Sequence, residues 1–426
     1  MTTIDIAADT ATRSRAGLVR RIVVVAVFLT WLGPFTMDAY SPGFPSIARE
    51  FGVGDWAVQL TLTASLAGLV LGQLLGAPLA DRFGRRGPLI GSLVVFLIAT
   101  LACALAPHIA FLIVARLFQG VAAAIGVSTS RTLGRDVLER RRLAPFFSQL
   151  AAITSIAPVV GPLVGSALMN AGGSWRWIFA MIGALGFVVL VVVVLALPET
   201  HPDRIDRSLA PAEREVPSDV STGGHGKVRT LLGQRAVLAS ALAIGLSSGA
   251  LLSYLAGTSI LLQDRYGLSA TQYAVVFALN AVGLLIAAQV NARLVRRIRP
   301  GVVATAAAGA LAADGLALVV AFAAAAPLGV ILGMLAVVVM CAGFLGSNVI
   351  AIGMSVDRHA GSTASAILGV AQYSFGALSA PLVGLGAAAV VPSQAWLVAG
   401  YGAATVVAVV VVGGRAFRDR LAPSGR

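Results

Sequence analysis

The chain has 426 residues, of which 58% are hydrophobic and 12% charged, where a soluble domain of this size carries about 25% charge. That balance excludes an ordinary soluble enzyme or binding domain. The net charge of +13 reads as arginine collected in short loops on one membrane side, not as a nucleic-acid surface.

The first twenty residues mix Arg13, Arg15 and Arg20 with Asp5 and Asp9. No small-residue cleavage site follows the first apolar run, so that run is expected to stay as a helix and not to be removed as a signal peptide. Apolar runs of more than ~18 residues predict spans at 22–44, 57–79, 88–106, 109–130, 146–170, 175–197, 236–262, 272–294, 301–322, 328–355, 362–387 and 393–412. The longest polar stretch, 198–235, carries Pro198, Pro202, Pro211, Pro217, Gly223, Gly224 and Gly226, a linker composition. It separates an N-terminal half, 1–197, from a C-terminal half, 236–426, with six spans each. The expected fold is therefore an all-α membrane protein of twelve transmembrane helices in two pseudo-symmetric six-helix bundles. The 47 glycines suit helices that pack closely in lipid.

Basic residues orient the chain. With the N-terminus inside, the inner loops hold Arg20, Arg21, Arg82, Arg85, Arg86, Arg131, Arg135, Arg140, Arg141, Arg142, Arg293, Arg296, Arg297 and Arg299, and the C-terminal Arg415, Arg418 and Arg420 fall inside too. The outer loops hold Arg49, Arg176 and Arg265. An odd number of spans in either half would scramble this separation. The expectation is a multi-pass protein of the plasma or inner membrane, with both termini and the linker cytoplasmic.

Three ionisable residues remain in apolar spans: Asp38, Arg116 and Asp314. A charge at the bilayer centre costs roughly 2.5–3.5 kcal/mol even on the lenient insertion scale, so such residues are usually functional or paired. At ~1.5 Å rise per residue, Asp38 and Arg116 fall at similar depth and can pair or share a polar cavity; the plainer alternative is a structural salt bridge. Asp314 lies in an Ala-rich helix that reads as peripheral. Tyr40, Gln119, Tyr254, Gln263, Asn280, Gln289, Asn348, Gln372 and Tyr373 are the polar residues available to line a cavity and touch substrate, although each alone is more often a helix–helix hydrogen bond. Cys103 and Cys341 both lie in apolar stretches and imply no disulfide or metal cluster. The four histidines, His108, His201, His225 and His359, fall in loops or at span ends, and no Gly-x-x-x-x-Gly-Lys-Ser/Thr loop is present. Neither an enzyme, a metal centre, a cofactor nor an ATP-driven pump is expected.

Between spans 2 and 3 stands Gly76-Ala-Pro-Leu-Ala-Asp81-Arg82-Phe-Gly84-Arg85-Arg86. Gly76 permits close helix approach, Asp81 can face the positive N-terminus of another helix, Gly84 allows a tight turn, and the arginines meet acids or lipid phosphates. This order resembles the signature loop of the major facilitator superfamily. Arg116-Leu-Phe-Gln119-Gly120 resembles that superfamily's helix 4 motif, whose arginine the resemblance links to proton transfer. Ala157-Pro158-Val-Val-Gly161-Pro162-Leu-Val-Gly165 resembles its helix 5 motif, associated with exporters; Gly161 and Gly165 also have small-xxx-small spacing, and Pro158 and Pro162 would kink the helix. Leu197-Pro198-Glu199-Thr200 resembles the usual exit from helix 6.

A narrower resemblance, to the Bcr/CflA family of drug:proton antiporters, covers most of the chain. Asp38-Ala-Tyr40-Ser-Pro42-Gly-Phe-Pro45, Ser128-Thr-Ser-Arg131-Thr-Leu-Gly-Arg135-Asp136, Ser253-Tyr254-Leu-Ala-Gly257, Phe277-Ala-Leu-Asn280 and Gly361-Ser-Thr-Ala-Ser365-Ala-Ile-Leu-Gly369-Val-Ala-Gln372 carry it. It implies proton-driven export of antibiotics or other small amphipathic molecules; the carrier is expected to be a monomer. Two departures stand out. Leu29-Thr30-Trp31-Leu32 holds no second acid where some drug antiporters have one, and Arg86 stands where the loop motif often has Lys.

The mechanism implied has two halves rocking about a central cavity. Asp38 exchanges a proton with substrate under the influence of Arg116, and the inner loop latches through Asp81 near Ser362 and Arg85 on Asp136. An importer of a small nutrient and a non-transporting membrane sensor are the competing readings. The latch predicts that Asp81→Asn impairs transport while leaving membrane insertion intact; normal efflux by that variant would count against it.

Overall fold

The computed structural model describes residues 3–137, 146, 150, 156–199, 233–355, 361–386 and 389–418. Among these, eleven helices are long and apolar enough to cross a membrane. They are α1 (Thr3–Asp38), α2 (Asp55–Phe83), α3 (Arg86–Ala104), α4 (Ile109–Val137), then, after the shorter α5 (Ala157–Asn170), α6 (Trp175–Ala196), α7 (Arg235–Ile260), α8 (Ala270–Leu294), α9 (Pro300–Ala323), α10 (Leu328–Met354), α11 (Gly361–Leu385) and α12 (Ser393–Val407). Most of the 198–235 linker lies outside the described residues.

Several expected boundaries move, each for a local reason. The span expected at 22–44 does not run through. Helix α1 ends at Asp38; a 3-10 turn follows at Ser41–Gly43, and a separate short helix at Phe44–Phe51. Pro42 and Pro45 lack the N–H groups that would continue the ladder, and each sits in the first turn of the element it begins. Helix α2 extends to Phe83, so most of the loop motif is its last turn, and the reversal is left to Gly84 at φ 89°, a backbone conformation glycine adopts without strain. Helix α4 reaches Val137, which makes the Ser128–Asp136 motif helical. Helix α7 gives way to a π turn at Leu261–Arg265, and α12 to another at Ala408–Val412.

Two apolar cores hold the bundles. One gathers residues such as Leu29, Phe44, Phe96, Leu112, Trp175 and Val189 from α1 to α6. The other gathers Ile244, Tyr273, Leu311, Leu335, Val349 and Val398 from α7 to α12. Outward faces remain apolar: Phe187, Leu195, Leu279 and Val320 are exposed, as a lipid-facing surface requires.

With lipid tails as apolar as leucine, helices associate by close van der Waals contact through small residues. Helices α2 and α4 do this along one seam. A Cβ at Gly68 would collide with the Leu117 carbonyl oxygen, one at Gly72 with that of Val121, and one at Gly120 with that of Ser65. At Gly76 the nearest atom is the Ser128 Cβ, 3.2 Å away, so the expected close approach is present. Helices α9 and α12 repeat the device: a Cβ at Gly315 would lie 2.6 Å from the Ala399 Cα, and one at Gly402 2.7 Å from the Ala312 Cα.

Overpacking a tight contact costs about 1–3 kcal/mol. Gly72→Val is therefore expected to lower the thermal midpoint of the detergent-purified protein. Gly309→Ala, whose methyl meets nothing within 4 Å, leaves it in place; equal midpoints for the two variants would contradict this seam.

Candidate functional site

Asp38 is the last residue of α1 and is 6% exposed. What seats it is α5. A Cβ at Gly161 would lie 3.0 Å from the Asp38 Cβ, and one at Gly165 would collide with the Ala39 carbonyl oxygen. The small-xxx-small pair of α5 thus packs on the chain where α1 breaks. The Ser41 hydroxyl donates to the Asp38 carbonyl oxygen at 2.8 Å. From the other half, the Tyr273 hydroxyl donates to Ser41 Oγ at 3.0 Å. Among the described residues no cation and no hydrogen-bond donor reaches the Asp38 carboxylate. The phenols of Tyr254 and Tyr273 lie within electrostatic range of it. Asn280 Nδ2 donates to the Tyr254 hydroxyl at 2.9 Å, and the Tyr254 and Phe277 rings stack with centroids 5.8 Å apart.

Arg116 is fully buried, and it does not pair with Asp38. Its Nη1 donates to Gln119 Oε1 at 2.6 Å, and Gln119 Nε2 passes the chain on to Thr100 Oγ1 at 2.7 Å. Its guanidinium lies 4.2 Å from the Tyr40 ring centroid and 5.7 Å from that of Phe179. Tyr40 is held in turn by Thr61, its hydroxyl 3.0 Å from Thr61 Oγ1. The helical rise gave both residues their depth but not their rotation: Arg116 faces the aromatic interior of its own half, and Asp38 faces the junction with the other. A desolvated cation–π contact supplies about 2 kcal/mol or more, which partly offsets burial of this charge. The Arg116 Nε and Nη2 have no hydrogen-bond partner.

The arginine-poor end of the bundle is closed. Gln59 Nε2 donates to the Ala256 carbonyl at 2.7 Å, Thr63 Oγ1 to that of Ala377 at 2.9 Å, Ser259 Oγ to that of Ser41 at 2.7 Å and Gln263 Nε2 to that of Pro42 at 3.3 Å. The Tyr273–Ser41 bond and a bond from Asn170 to Thr271 join the same seam. Arg49 pairs with Asp264 at 3.5 Å, although both are solvent-accessible and such pairs contribute only about 0–1 kcal/mol. At Gly384 any side chain would strike the Trp56 backbone. On the same face, Glu50 accepts from the Trp175 indole at 2.6 Å and pairs with Arg176.

The other expected residues divide. Asn348 donates to Asn291 Oδ1 at 2.7 Å and to the Phe344 carbonyl at 2.8 Å, a helix–helix bond between α10 and α8. Gln289 is exposed on α8, and Gln372 and Tyr373 are half-buried on α11. Asp314 is half-buried on α9 with its Oδ2 unpartnered, within electrostatic range of Cys341. At the inner loop, Arg82 is exposed while Gly84 and Arg85 are buried. The side chains of Asp81, Asp136 and Ser362 lie outside the described ones, so neither expected latch contact is placed. Pro158 begins α5 and Pro162 lies inside it.

Sequence reasoning missed Ser41, Gln59, Thr61 and Tyr273, whose hydroxyl and amide groups join the halves or hold Tyr40. Ser41 stands inside the quoted helix 1 motif; nothing local marked the other three. Glu199 was quoted only as part of the helix 6 exit, and its capping role was missed. Its carboxylate accepts the backbone N–H of Arg85 at 2.8 Å and of Arg86 at 3.3 Å, and so caps the N-terminus of α3. Arg86 Nη2 donates to the Val194 carbonyl at 2.8 Å, tying the same corner to α6.

A buried carboxylate at the junction of two six-helix bundles, in a chain of membrane-crossing helices, defines a transporter of the facilitator class. The sequence model of the Major Facilitator Superfamily matches residues 26–381, and the chain belongs to that superfamily. Within it, the resemblance to Bcr/CflA drug:proton antiporters is matched by curated relatives. The chain is 28% identical over 270 residues to the bicyclomycin resistance protein homolog of Haemophilus influenzae, covering 63% of this chain and 65% of that one. It is 29% identical over 262 residues to the multidrug resistance protein MdtL of Klebsiella pneumoniae, covering 62% and 63%. A fuller match, 32% over 369 residues, 86% of this chain and 89% of the other, is to the uncharacterized MFS-type transporter YdgK of Bacillus subtilis. Among solved structures, the D-xylose-proton symporter shares the fold at TM-score 0.72 and 16% identity, covering 92% of this chain and 97% of that one. An inward-facing, occupied bacterial homolog of the lysosomal transporter Spinster does so at TM-score 0.68 and 16% identity, covering 94% and 96%. The family and fold are those of transporters, which are not enzymes, and the protein is a multi-pass membrane protein that binds a small-molecule substrate.

The closed seam is testable with one introduced thiol, because Cys103 and Cys341 are both buried. A Ser259→Cys variant is expected to resist a membrane-impermeant maleimide. Adding Gly384→Leu, which forces the Trp56 backbone away, is expected to expose that thiol; labelling unchanged by the second substitution would refute tight closure at this point.

Proposed function

We propose that the protein exports drugs or other small amphipathic molecules in exchange for protons, by alternating access between its two halves. The observation that carries this reading is the Asp38 carboxylate. It is buried at the junction of the halves, has no cation or donor as partner among the described residues, and sits on the exporter-associated glycines of α5. A carboxylate so placed binds either a proton or the polar end of a substrate, and one site serving both in turn is what antiport requires. The drug-resistance relatives support the same direction of transport. The sugar symporter shares only the fold, which carries no direction.

On the positive-inside reading, the arginine-rich end is cytoplasmic and the sealed seam faces outward. A carrier closed at that seam takes its substrate from the cytoplasm or inner leaflet. Substrate binds near Asp38, Tyr254, Asn280 and the aromatic wall formed with Phe277, and the proton leaves inward. Arg116 keeps the N-terminal half polar beside Tyr40 without neutralising Asp38. One proton moving across ~100 mV supplies roughly 2.3 kcal/mol, which sustains a substrate gradient of about fifty-fold. Both halves come from one polypeptide, so a monomer suffices.

The test is proton flux in proteoliposomes under an imposed pH gradient, as antibiotics and lipophilic compounds are added. Wild type is expected to show substrate-evoked proton release and Asp38→Asn to show none. Release that survives the substitution would move the proton site elsewhere; no release with any compound would leave the importer and sensor readings.

A further inference from the structure

A recess of about 610 Å³ opens on the outside of the N-terminal half, between α2, α3 and α4. Its size falls in the range of small-molecule sites, yet it faces lipid and is separate from the central site. Phe83, Gly87, Gly91, Val95, Val121 and Ile125 line it. The hollow exists because two side chains are missing one turn apart on α3: a Cβ at Gly87 or Gly91 would meet nothing within 4 Å. The wall is apolar, with Phe83 and Val95 about half exposed.

Its Phe83–Gly87 end lies at the arginine-rich end of the bundle. The Arg82 guanidinium sits 5.3 Å above the ring of Phe83, itself a wall residue. Arg86 reaches the Val194 carbonyl through Nη2, while its Nε is buried with no hydrogen-bond partner. Arg82, Arg85 and Arg86 outnumber Asp81 and Glu199, which leaves this corner net positive. An apolar trough with a cationic rim complements a molecule with a long hydrocarbon chain and an anionic head. A free phosphate has nothing with which to fill the trough, and a zwitterionic lipid lacks the net charge that the rim attracts.

We propose that this recess is a binding site for one anionic phospholipid, an acyl chain lying over Gly87 and Gly91 and the phosphate meeting Arg82 and Arg86. The bound lipid bears on the turn at Gly84, where α2 passes to α3, and so fastens the corner that Glu199 already ties to α6. The acidity of the surrounding leaflet thereby sets how firmly the inner end of α2 is held.

Native mass spectrometry of the full chain in detergent, with dioleoylphosphatidylglycerol or dioleoylphosphatidylcholine added at equal concentration, tests this. Wild type is expected to retain one phosphatidylglycerol at concentrations where phosphatidylcholine is lost. Gly91→Phe, which fills the trough from a position where an added Cβ meets nothing within 4 Å, is expected to weaken retention by about tenfold or more, and Gly91→Ala to keep it. Arg82→Gln is expected to abolish the preference between the two lipids. If Gly91→Phe does not purify as a folded monomer, Gly87→Leu fills the same trough and carries the same expectation. Equal retention of the two lipids by wild type, retention unchanged in the filled variant, or displacement by millimolar inorganic phosphate would each overturn the proposal.

Discussion

The seating of α5 on the broken end of α1 is the contact on which the rest of the site depends. Pro42 and Pro45 stop the helix, which frees backbone just after Asp38. Gly161 and Gly165 then let α5 approach that backbone closer than any side chain would allow. The acid is held by main chain and by absence of bulk, not by a charge partner. Such a support is stiff and leaves the carboxylate's own bonding capacity for whatever enters the junction. Ser41, bonded to the Asp38 carbonyl on one side and to Tyr273 on the other, connects this seat to the C-terminal half.

Separating the two buried charges has a consequence for coupling. Had Arg116 paired with Asp38, the couple would be electrically satisfied, and truncating either partner would leave an uncompensated buried charge. The arginine is instead absorbed by Tyr40, Phe179 and Gln119 within its own half. Thr61 in turn steadies the Tyr40 side chain. On the proposed mechanism the two groups divide the work: one keeps the N-terminal half polar, the other meets proton and substrate.

The two ends of the molecule are held by different physics. At the arginine-poor end the seam is made of side-chain amides and hydroxyls donating to backbone carbonyls, reinforced by glycine contacts such as Gly384 on Trp56. The Arg49–Asp264 ion pair across it is exposed and weak. At the arginine-rich end the corner of α2, α3 and α6 is organised by charge: Glu199 on the α3 N-terminus, Arg86 on the last turn of α6. A seam of short neutral bonds opens by rigid-body separation, whereas a charged corner responds to ions and lipid heads around it.

Fold class, span count and the Gly161/Gly165 packing pair were legible in the residues alone, because each follows from local chemistry: apolar runs long enough to cross a bilayer, arginines sorted to one side, small residues four apart. Asp38 was legible for the same reason, since an acid in an apolar span is conspicuous. Partnership was not. Depth along a helix comes from counting residues, but the direction a side chain faces depends on how neighbouring helices rotate to pack; that rotation turned Arg116 onto Tyr40 and away from Asp38. Likewise Asn348 and Asn291, 57 positions apart, and Gln59 and Ala256, 197 apart, carry no local mark of their pairing. Chain chemistry sets which groups are available in the membrane, and packing sets which of them meet.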